Sequence, residues 1–130
     1  MIIVLIFAVV LVGLLISTKY RPNLPRPYRL RSCEGQGWRR TFPTASKEEI
    51  RSFLLLFVSA FAFSDKDKLK FGPDDKILDV YRSLYPSQWL PDALELETLA
   101  NDLQKRYALN LESVWSDDLT LGELFIRIRI

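Results

Sequence analysis

The first eighteen residues, MIIVLIFAVVLVGLLIST, contain no charged side chain, and this run constrains the architecture more than any other feature. As a helix they would extend about 27 Å, close to the thickness of a bilayer's hydrocarbon core. A cleaved signal peptide is the competing reading. It calls for basic residues before the run and a small-x-small exit after it. Here Ile2 follows Met1 directly and the exit is LLISTKY, so an uncleaved single transmembrane helix over 1–18 is expected. The positive flank follows the run: Lys19, Arg21, Arg26, Arg29, Arg31, Arg39 and Arg40 stand against Glu34 alone before Thr41. The positive-inside tendency then places the following domain in the cytoplasm, as part of a single-pass protein of the cell membrane.

Behind this basic stretch the charge reverses. Between Phe71 and Glu123 four basic residues face eleven acidic ones. The chain therefore reads as an apolar anchor (1–18), a basic Pro-rich juxtamembrane arm (19–45) and an acidic helical domain (46–130). Pro22, Pro25 and Pro27 favour an extended strut in the arm. Gly35 and Gly37 could turn a short β-hairpin between Tyr28–Cys33 and Trp38–Phe42, that is, over 28–42. Lys19, Arg21, Arg26, Arg29 and Arg31 are candidates for contact with anionic lipid headgroups, which is worth about 1 kcal/mol per residue near a membrane surface. A topology signal with no further role explains them equally well. Nucleic acid is not an expected partner, because the adjoining domain would repel phosphate.

With no histidine and one cysteine, Cys33, the chain excludes a His-based triad, a His/Cys zinc site and an intramolecular disulfide. Cys33 is expected to be a small, half-buried packing residue. No glycine-rich phosphate loop and no nucleophile–base pair is present, so no catalytic residue, metal site or cofactor is assigned.

The domain opens with a capping box: Ser46 can cap and Glu49 stands at the third helical position. Ile50, Phe53, Leu54, Phe57 and Phe61 then keep helical spacing, which predicts a helix over 47–62. SDKDKLKFGPDD follows as a charged loop. A shorter helix should start at Asp74 or Asp75 and stop at Pro86, with Ile77, Val80, Tyr81 and Leu84 as its stripe. PDALELETLANDLQKRY gives an acidic helix capped by Asp92, with Leu96, Leu99, Ala100, Leu103 and Tyr107 inward. Thr120 can cap a last helix carrying Leu121, Leu124, Phe125 and Ile128. The tail LFIRIRI also alternates with period two, leaving a terminal strand open. The expected fold is thus mainly α, a small irregular four-helix bundle behind the anchor.

In order, length and charge this domain resembles an acyl carrier protein. The resemblance covers about residues 46–130 and is most specific over 92–125. Asp92-Ala93-Leu94 stands where the family has Asp-Ser-Leu at the head of its acidic second helix. Tyr107 ends that helix, Leu111 follows four residues later, and Thr120-Leu121-Gly122-Glu123-Leu124 matches the Thr-Val-Gly-Asp-Leu-like start of the last helix. The family's serine carries phosphopantetheine. Ala93 occupies that position, and a methyl group has no oxygen to form the phosphodiester. Neither Ser87 nor Thr98 is a convincing substitute, and the insert YRSLYPSQWLP is a second departure.

The resemblance implies a carrier-like fold that cannot be loaded at that position. In the family the acidic helix docks onto basic patches of partner enzymes. Asp92, Glu95, Glu97 and Asp102 are the corresponding docking candidates here, with Trp89 and Leu90 as an apolar addition. A solvated helix face explains the carboxylates, and core cover the two apolar residues, if no partner exists. The expectation is a membrane-anchored, non-catalytic interaction module that docks a protein bearing a basic patch. The alternative is a genuine acyl or lipid carrier with an atypical or non-covalent cargo site.

Overall fold

The computed structural model describes residues 24–85 and 94–129. They form seven α-helices and one 3-10 helix, arranged as a helical bundle with no strand among the described residues. The helices are α1 (Arg26–Arg29), α2 (Gly35–Thr41), α3 (Lys47–Ala60), the 3-10 helix (Asp65–Lys70), α4 (Ile77–Leu84), α5 (Leu94–Tyr107), α6 (Leu111–Val114) and α7 (Leu121–Arg129). No helix among the described residues is long and apolar enough to cross a membrane, and the run over 1–18 lies outside them.

Helix α3 is central, and its ends follow from local chemistry. The Ser46 hydroxyl accepts from the Glu49 amide at 3.1 Å, and the Glu49 carboxylate accepts from the Ser46 amide at 3.3 Å. This reciprocal cap satisfies donors that the first turn leaves open. At the other end the Phe63 amide donates to the Val58 carbonyl and the Ala62 amide to the Ser59 carbonyl. That is a Schellman termination, and it places Ala62 at φ 59°, a left-handed conformation usually given to glycine. Ile50, Phe53, Leu54, Phe57 and Phe61 are all buried, as their spacing predicts. Helix α3 packs against the 3-10 helix and against α5.

The hairpin expected over 28–42 is corrected: these residues form the end of α1, a short turn and α2, and they pack into the helical body. Leu24, Tyr28, Trp38 and Phe42 are all buried in the common core. Trp38 is wholly enclosed, its indole Nε1 donates to the Phe71 carbonyl at 2.8 Å, and its ring meets Phe42, Phe53 and Phe125. Two isolated strands would leave this aromatic surface in water, whereas two short helices lay it against α3 and α7. Cys33, between them, is exposed rather than half-buried.

The charged loop after α3 also acquires structure, as the 3-10 helix, and delivers Phe71 to the core. The starts of α4 and α7 are tied together. Ile77 donates to the Leu119 carbonyl at 3.1 Å and Leu121 to the Asp75 carbonyl at 2.9 Å, around an antiparallel bridge between Lys76 and Thr120. Next to this bridge the Gly122 amide donates to the Pro73 carbonyl at 2.8 Å. A Cβ at residue 122 would stand 2.8 Å from that same oxygen, so only glycine allows the approach. The Glu123 amide donates to the Thr120 hydroxyl at 3.1 Å, as the predicted cap requires. The tail after it stays helical to Arg129.

Candidate functional site

Helix α5 is held by Leu99 and Leu103, both fully buried, which fixes the faces on which its polar residues fall. Glu95 lies four residues before Leu99, on the inward side. It is only 6% exposed, and its Oε1 accepts a hydrogen bond from the hydroxyl of Tyr85, the residue that caps α4. Glu95 therefore joins the end of α4 to the start of α5. Its assignment to an outward docking face is corrected: the carboxylate is buried because its helical position follows that of Leu99 and Leu103.

Glu97 is exposed and Asp102 half-buried, at the margin of the outward face. Neither has a cation at ion-pairing distance among the described residues. Lys105 and Arg106 occupy the last turn, where the helix dipole favours positive charge. Leu94 opens the helix and is 58% exposed, among the most exposed large apolar side chains of the body. It belongs neither to the inward stripe nor to the docking candidates read from the sequence. Its register, out of step with Leu96, Leu99 and Leu103, was the available clue. The Thr98 hydroxyl donates to the Leu94 carbonyl at 2.8 Å, inside its own helix. Asp92, Ala93, Trp89 and Leu90 lie outside the described residues, as do Lys19 and Arg21.

The basic candidates divide in two. Arg26 and Arg29 are exposed. Arg31 is engaged internally: its Nη1 lies 2.6 Å from the Asp75 carboxylate and donates to the Lys70 carbonyl, and its guanidinium stands 4.8 Å from the centre of the Tyr28 ring. The hydrogen bond to Asp75 raises the Arg31 pKa further. Arg31 thus has a structural role in the body, tying α1 to the turn before α4. Asp75, expected as a helix cap, instead accepts from Arg31 and from the Gly72 amide at 2.7 Å. Burial, with the nearby Asp75 carboxylate, pushes the Tyr28 hydroxyl up to about 12. Among the described residues no group of three acidic or thiol side chains is placed to hold a metal ion.

The chain matches no protein-family model, and the curated proteins and solved structures likewise give no match.

Proposed function

We propose that the chain is a membrane-anchored, non-catalytic interaction module whose helical body is acyl-carrier-like, and that it docks a partner protein through the head and outer face of α5. Residues 1–18 are its anchor, and the body works on the cytoplasmic side. The observation that carries the reading is the pairing of an exposed Leu94 with an exposed Glu97 one turn further on. An apolar anchor beside a carboxylate that lacks a cation suits a protein surface with a hydrophobic recess and a basic rim. Asp92 and Asp102 extend the acidic character, while Glu95 supports the helix from within. Ala93 and the internally bonded Thr98 favour docking over covalent loading.

Charge reversal tests this reading. With Glu97→Lys and Asp102→Lys, association with the partner should weaken at least tenfold at low salt, and Leu94→Ser should weaken it at any salt. Unchanged association in both variants refutes the proposal. An intact mass carrying a phosphopantetheine arm would establish the carrier alternative instead.

A further inference from the structure

We propose that the depression between α2, the start of α3 and the 3-10 helix is a binding site for a phosphate group, held by Arg39, Lys47 and Arg51. The three side chains line one open recess of about 300 Å³, whose floor includes Ile50 and Leu69 above the buried Trp38. This volume falls at the lower end of small-ligand sites. Arg39 comes from α2, and Lys47 and Arg51 come from successive turns of α3; all three are exposed.

The arrangement is electrostatically costly as it stands. Lys47 is the first residue of α3, where the helix dipole opposes a positive charge. Lys47 and Arg51 are four residues apart, a spacing at which like charges destabilise a helix. No carboxylate relieves them: none of the three cations has an ion-pair partner among the described residues. The acids of the same turn sit on the opposite flank. Glu48 and Glu49 line a recess shared with Arg106 and Arg129, and Glu49 pairs with Arg129 at 3.4 Å. The first two turns of α3 thus sort their charges, with acids toward α5 and α7 and cations toward α2.

Three cations lining one recess match an anion carrying more than one charge. Arginine presents paired donors suited to phosphate oxygens, and lysine adds a point charge. The apolar floor fits an organic portion attached to the phosphate. Two sources share this chemistry, a soluble phosphate ester and a phospholipid headgroup. The second rests on the membrane anchor proposed above, from which only five residues separate Leu24.

The test uses the full chain, isotopically labelled, with backbone and arginine side-chain resonances followed by NMR. One arm titrates inorganic phosphate into protein held in an uncharged detergent. The other compares discs of phosphatidylcholine with discs also containing phosphatidic acid. Each is repeated with Arg39→Gln, Lys47→Gln and Arg51→Gln together, with Arg39→Gln alone, and with a charge-matched control of Lys66→Gln, Arg82→Gln and Lys105→Gln. Saturable shifts centred on Gly35, Arg39 and Arg51 are expected. They should weaken at least tenfold in the triple variant and severalfold in the single one, and stay within twofold in the control. Response to inorganic phosphate identifies a soluble ligand, and response to phosphatidic acid alone identifies a headgroup. No saturable shift in either arm, or equal loss in the recess variants and the control, overturns the proposal.

Discussion

Replacing Trp38 separates a basic arm from a basic segment built into the fold. Its side chain is wholly buried, its Nε1 donates to the Phe71 carbonyl at 2.8 Å, and its ring centroid lies 5.6–6.1 Å from those of Phe42, Phe53 and Phe125. Trp38→Phe keeps an aromatic ring but removes the donor, and a buried carbonyl without its partner costs about 1–3 kcal/mol. Trp38→Ala also loses the ring and opens a cavity, for which core truncations cost about 3–5 kcal/mol. Together these losses come to roughly 4–8 kcal/mol, comparable with the whole stability of many domains. The assay is urea unfolding of residues 24–130 followed by far-ultraviolet circular dichroism. The slope with denaturant should be retained in the phenylalanine variant and its midpoint lowered. The alanine variant should be largely unfolded before urea is added. Both variants falling within about 0.5 kcal/mol of the parent, the usual range for surface positions, would refute the placement of α2 in the core.

Ala62 holds a left-handed conformation at the end of α3, so Ala62→Gly should stabilise the body by about 1 kcal/mol, read as a raised midpoint in the same assay. Alkali should unfold the protein partly through Tyr28. Its folded pKa of about 12 exceeds the ordinary value of 10.0, so the folded state keeps a proton that the unfolded chain loses. That contribution is complete below pH 10 and lost as pH rises toward 12. It is on the order of 1–2 kcal/mol after allowance for solvent screening, and Tyr28→Phe should flatten the pH dependence over this interval.

What the sequence made legible was the local chemistry. Ser46 and Glu49 mark the start of α3 because a capping box acts over three residues, and the spacing from Ile50 to Phe61 reports burial on one face. Thr120 and Glu123 mark α7 for the same reason. The missed features depend on partners distant in sequence. Gly35 and Gly37 suggested a turn, but Trp38 is drawn into a helix by a bond to Phe71 and by rings on α3 and α7. Asp75 looked like a cap, yet it answers Arg31 across 44 residues. Glu95 looked like surface acid, because nothing local announces the Tyr85 hydroxyl as its donor. The candidate site was legible in part. The choice of α5 as the candidate docking helix followed from the family resemblance and its local surplus of carboxylates, whereas the exposure of Leu94 required the helix to be seen docked on α3.

The docking account is tested most directly by placing a photoreactive amino acid at position 94 of the full chain and irradiating native membranes. The account predicts one dominant adduct, with a protein bearing a basic surface, that fades as salt is raised and disappears when Glu97→Lys is added. An absence of adducts, or an adduct of equal yield with and without the reversal, would contradict it.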